Sequence, residues 1–163
     1  HLSSRRQRQM CIRDSLRWSQ WKMQNYEAKL AHNPKELEAF LTPLVTAGID
    51  IFHCSQRRFW EPEFEKSHLN LAGWVKKISS KPTITVGSIG LDADFISNPD
   101  QRGFSEAEPA SLNELLTRLD NDEFDLIAVG RALISNPNWV KHIQNNEDQK
   151  IKSFKKEHLR QLI

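Results

Sequence analysis

Cysteine is scarce: Cys11 and Cys54 are the only two in 163 residues, too few for a disulfide framework and without metal-ligand spacing. Zinc is therefore excluded as a structural staple. No apolar run approaches the length of a membrane span, and no signal-peptide pattern precedes the first periodic segment. A reducing, cytoplasmic setting is the expectation. The dinucleotide fingerprint G-x-G-x-x-G is missing after the first strand-like stretch, which tells against a doubly wound nucleotide-binding sheet. The chain begins at His1 and not at Met, and is expected to be a piece of a longer protein.

A strong charge of one sign is lacking too. The net charge of +2 comes from the first fifteen residues, where Arg5, Arg6, Arg8 and Arg13 face Asp14 alone. Taking four from 23 basic residues and one from 21 acidic ones leaves 19 against 20, so the remainder is near neutral. A nucleic-acid arm is the functional reading of such an arginine cluster. RRQRQMCIRDS instead resembles translated adapter sequence, and residues 1–15 are read as a non-native or disordered tail, leaving 16–163 as the folded unit.

What is present is a repeat of strand and helix. Leu16–Trp21 reads as a strand. Asn33, Pro34 and Glu36 then open a helix as cap, first-turn proline and capping-box acid. Leu37, Phe40, Leu41 and Leu44 give it a stripe at i, i+3, i+4 and i+7, and Gly48 ends it before a strand at Ile49–His53. The unit recurs with Leu71, Trp74, Val75 and Ile78 before the strand Thr83–Val86. It recurs again with a Ser111/Glu114 capping box and Leu112, Leu115, Leu116 and Leu119 before the strand Phe124–Val129. Asn136 and Pro137 are placed to start the next helix, and a last helix is expected from about Lys150 to Leu162. Strands alternating with helices predict a parallel sheet, and their unbroken apolar runs predict cover on both faces.

Two strand ends carry the chemistry. TITVGSIG ends in Gly87-Ser88, which offers backbone N–H groups and a hydroxyl. FDLIAVGR ends in Gly130-Arg131, a glycine that admits a ligand and a guanidinium fork matched to phosphate oxygens. Phosphate sites in (β/α)8 barrels are often built from the loops after strands seven and eight. Four units are half of a barrel, so the reading is α/β, the C-terminal half of a (β/α)8 TIM barrel, strands five to eight, as an incomplete fragment.

HCSQRRFWEPEF, NLAGWVKK, KPTITVGSIGL and EFDLIAVGRALISNPNW together resemble the Old Yellow Enzyme family of FMN-dependent NAD(P)H:flavin oxidoreductases, the ene-reductases. The resemblance runs from about Leu16 to the C-terminus. It implies FMN as cofactor, NAD(P)H as reductant and a small activated alkene as substrate, and it allows a homo-oligomer. Gly87, Ser88, Gly130 and Arg131 then match the family's phosphate site, and Arg17 the cation beside the flavin pyrimidine edge. The family's His/Asn or His/His substrate pair and its tyrosine proton donor follow strand four and have no counterpart here, so no catalytic residue is assigned. On the residues alone, a barrel isomerase or lyase acting on a phosphorylated substrate, or a non-catalytic phosphate-binding half-barrel, stays open. His53 is read as packed with a backbone bond, Cys54 as a small buried residue, and Trp74 and Trp139 as core.

Overall fold

The computed structural model describes residues 14–22, 25, 27–95 and 105–160. The arginine cluster, Cys11 and the middle of the 91–110 insertion lie outside the described residues, and with them the reading of the tail.

Four strands, β1 (Ser15–Ser19), β2 (Ile51–Ser55), β3 (Thr83–Val86) and β4 (Leu126–Ile127), pair in parallel in the order of the sequence. Helices α1 (Pro34–Thr46), α2 (Leu71–Ser79) and α3 (Asn113–Asp120) connect them, and α4 (Arg131–Ser135) and α5 (Trp139–Gln144) follow β4. The class is α/β. No helix among the described residues is long and apolar enough to cross a membrane.

Local chemistry explains where the elements start. The Asn33 side chain accepts the Glu36 N–H at 3.0 Å, and the Glu36 carboxylate accepts the His32 N–H at 2.7 Å. A cap of this kind contributes about 1 kcal/mol. Leu37 and Leu41 are then fully buried, as their spacing predicted. Asn70, not anticipated from sequence, caps α2 by accepting the Gly73 N–H at 2.9 Å, while its amide donates to the Phe59 carbonyl at 2.8 Å. The predicted Ser111/Glu114 box does not form. Glu114 instead accepts from Arg118 at 2.8 Å, and Arg118 reaches the Trp60 carbonyl at 3.1 Å. A guanidinium that pins a distant loop is a stronger attractor than one exposed N–H.

The expectation that the sheet is covered on both faces is corrected. Phe52, Cys54, Thr83 and Thr85 point into the core with Leu37, Leu41, Leu71 and Val75 of the helices, and Trp18 packs on Phe40 with ring centroids 4.9 Å apart. The alternate residues form the opposite face. There Arg17, His53, Ile84 and Leu126 make one row across all four strands, with Arg17 exposed and Leu126 53% exposed. Among the described residues that face has no helix over it. The apolar runs misled because Ile51, Ile84, Val86 and Leu126 sit on the open side, so apolar residues occur there without a covering layer among the described residues.

Bounds shift as well. β1 takes in Ser15 and stops at Ser19, and Asp14 joins it by accepting the N–H groups of Asp50 and Ile51. β4 keeps two of its six predicted residues; Phe124 is buried before it and Ala128 after it bonds only to the Thr85 carbonyl. Asn136 does not start a helix. Its side chain holds the C-terminal segment, accepting the Lys152 N–H at 2.7 Å and donating to the Lys152 carbonyl at 2.9 Å. Beyond α5 the chain forms two short 3-10 turns, Asp148–Lys150 and Lys156–Leu159, where one long helix was expected.

Candidate functional site

A cavity of about 490 Å3 opens at the C-terminal ends of the four strands. Its volume falls within the roughly 300–1,000 Å3 of sites that take a small organic ligand. Arg17 and Ser19 line it from β1, Ser55, Gln56 and Arg57 from the end of β2, Val86 to Ile89 from the end of β3, and Gly130 and Arg131 from the turn after β4. All five residues singled out by sequence, Arg17, Gly87, Ser88, Gly130 and Arg131, therefore share one wall. Trp21, Lys22, Leu91, Asp94, Phe95 and Ile134 line the rest. Among the described residues, four cations line the cavity with a single carboxylate, an arrangement suited to an anionic ligand.

A second depression of about 560 Å3 lies between α2 and the turn after α3, lined by His68, Lys76, Lys77, Asp122 and Glu123. Lys76 is committed there to Asp122 and Asp125, at 2.5 and 3.1 Å, so the hollow is a seam between elements. The strand-end cavity is the better candidate.

Ser88 takes a left-handed backbone, φ +51°, at the tip of the β3 turn. Its hydroxyl lies 2.9 Å from the Ala93 carbonyl, 3.2 Å from the Arg57 carbonyl and 3.3 Å from Arg131 Nη2. The side chain thus organises the turn, and the part of it suited to a ligand is the backbone. Among the described residues, no main-chain hydrogen bond is donated by the N–H groups of Gly87, Ser88 or Ile89, nor by those of Gly130, Arg131 or Ala132.

Arg131 is the most engaged side chain of the wall. Its guanidinium donates to the carbonyls of Ala93 at 2.6 Å and Asp94 at 3.0 Å, and sits 5.5 Å from the Phe154 ring centroid and 5.9 Å from that of Phe95. Burial pulls its pKa down, while Asp94 and Asp92 oppose that shift. It holds the 93–94 backbone beside the β3 turn, and among the described residues it forms no ion pair with a helix carboxylate.

The two glycines differ in what demands them. A Cβ on Gly87 would lie 2.7 Å from the Gln56 carbonyl oxygen, and its φ is +153°, so the neighbouring loop and the backbone both require glycine. At Gly130 a Cβ meets nothing within 4 Å. That clear space on the cavity wall, with the unused N–H groups beside it, fits a phosphate group seated against backbone.

Arg17 makes no salt bridge among the described residues, and the Asp50 carboxylate accepts the Asp14 N–H. His53, its neighbour in register, has its pKa lowered by burial and then by Arg17. The backbone bond expected for His53 is not formed: its Nε2 is buried without a partner among the described residues, on the open sheet face and outside the cavity wall. Cys54 is buried, which pushes its thiol pKa up and leaves it inert at neutral pH.

Sequence reasoning missed Arg57, although the doublet Arg57-Arg58 just past a strand end was a visible signal. It also missed a buried brace behind the cavity. Gln20 donates to Glu63 Oε1 at 2.5 Å and accepts the Ala31 N–H at 2.7 Å, with Lys29 3.4 Å from the same carboxylate. Burial raises the Glu63 pKa above the usual 4.5, with Lys29 opposing. The folded state thus holds this proton more tightly than the unfolded chain does, so its stabilising effect is complete at low pH and is lost as pH rises through the folded value. Glu63→Gln is expected to flatten that decline in thermal melts recorded across the acid-to-neutral range; an unchanged slope would assign the decline to another group.

The chain matches no protein-family model and no curated protein. Among solved structures it is similar to histamine dehydrogenase from Rhizobium sp. 4-9, at 17% identity and a TM-score of 0.47, over 84% of this chain. The chain spans 17% of the length of that one.

Proposed function

We infer that this chain is the phosphate-binding half of a (β/α)8-barrel oxidoreductase of the Old Yellow Enzyme type, which binds FMN, takes hydride from NAD(P)H and delivers it to an activated alkene. One observation carries the reading: residues that the family resemblance assigns to a single cofactor, drawn from three separate strand ends, line one cation-rich cavity. The strand order supports it. In a doubly wound sheet the order reverses at a switch point, whereas here it never reverses and the helices pack on a single side, as in one half of a closed barrel.

The flavin, when bound, supplies the redox chemistry. The turns at Gly87 and Gly130 give backbone N–H groups to its phosphate, and Arg131 fixes their spacing and adds charge. Arg17 stands on the strand floor as a permanent cation, which favours negative charge on the pyrimidine edge of a flavin. Alkene binding and proton donation fall to residues outside this chain in that reading.

The test is direct. The complete reading frame is expected to purify yellow and to bleach with NADPH under anaerobic conditions. A colourless protein that cannot be reconstituted with FMN removes the proposal.

A further inference from the structure

Ser88 lies in the wall of the candidate phosphate site, and Arg57 and Arg131 line the same cavity. The Ser88 hydroxyl contacts Arg131 Nη2 at 3.3 Å and the Arg57 carbonyl at 3.2 Å. The two guanidiniums also share one residue: Arg57 Nη2 bonds Asp94 Oδ2 at 2.9 Å, and Arg131 Nη1 bonds the Asp94 main-chain oxygen at 3.0 Å. The Asp94 side chain is 2% exposed and also lies 3.6 Å from Arg58. Arg57 is different, with 28% of its side chain exposed in the cavity wall. A buried carboxylate anchors one end of a guanidinium whose exposed part faces the ligand space.

Resting on the FMN reading above, we propose that Arg57 is a second phosphate-binding arginine of this site, positioned by Asp94. Two guanidiniums lining one cavity match a phosphate monoester dianion. They match a neutral ribityl hydroxyl poorly, because it carries no charge for them to attract. Arg57 thereby selects the phosphorylated ligand over its dephosphorylated form, and the loop after β2 becomes part of the cofactor site.

The experiment titrates the 163-residue chain with FMN, riboflavin and inorganic phosphate, following flavin fluorescence and, for phosphate, the thermal shift. Arg57→Gln alone would take from the buried Asp94 its 2.9 Å partner, so the test variant is Arg57→Gln with Asp94→Asn, beside Arg57→Lys. The double variant is expected to bind FMN about 10- to 100-fold more weakly, the loss of one charge-assisted contact, with riboflavin affinity unchanged. Arg57→Lys is expected to recover part of the loss. Equal weakening of both flavins would make Arg57 a merely structural residue and overturn the proposal, as would undiminished FMN binding. If neither flavin binds the parent chain while phosphate raises its melting temperature only when Arg57 is present, the flavin reading falls and the Arg57 site stands. A parent chain indifferent to all three overturns both.

Discussion

Arg131→Ala is expected to weaken FMN binding about 100-fold, the upper end of what one charge-assisted interaction is worth, ~3 kcal/mol. The same change releases the Ala93 and Asp94 carbonyls and strips the cation from between Phe95 and Phe154, so the loop after β3 should loosen as well. Fluorescence titration measures the first effect and the melting temperature the second. Arg131→Lys keeps the charge without the fork and should fall between the two. His53→Ala serves as the control, because His53 lies on the strand floor outside the cavity wall. Its effect on affinity should stay within about threefold, the scale of a change that removes no ligand contact. A lowered melting temperature with undiminished FMN affinity would reduce Arg131 to a loop strap and dismantle the assigned clamp.

The two turn glycines should fail in opposite ways. At Gly87 a methyl group lands 2.7 Å from the Gln56 carbonyl oxygen in a backbone conformation that L residues rarely adopt. Gly87→Ala is expected to lower folding stability by about 2–4 kcal/mol, read from urea unfolding midpoints. Gly130→Ala meets no protein atom within 4 Å, and its stability should stay within about 1 kcal/mol of the parent. Its methyl group would stand where the phosphate approaches, so FMN affinity should drop about tenfold or more, the price of losing one backbone contact to a charged group. Tight FMN binding by a normally folded Gly130→Ala protein would show that the phosphate lies elsewhere.

How much of this was readable in the residues depends on the range of the force involved. Asn33-Pro34-Lys35-Glu36 was legible because its cap is closed within four residues, and the buried Leu37 and Leu41 followed from spacing alone. The strand ends at Gly87 and Gly130 were legible because glycine interrupts an apolar run. Asn136 was misplaced because its partner, Lys152, is sixteen residues away, and no local rule reports a hydrogen bond of that span. Glu114 was misplaced for the same reason, since Arg118 had already been recruited by the loop at Trp60. The open side of the sheet was hidden because β-branched residues serve a covered surface and a bare one equally well. Arg57 stood in plain view, yet only the fold brings it to the Asp94 carboxylate.

The row Arg17, His53, Ile84 and Leu126 limits what can settle against this protein. Any such layer has to present greasy side chains toward Ile84 and Leu126 while leaving Arg17 hydrated or giving it an acidic neighbour. It also has to satisfy unpaired main-chain groups along β1 and β4, the two rims of the sheet among the described residues, and another extended segment, parallel or antiparallel, does so. A helical partner answers the first demand and not the second.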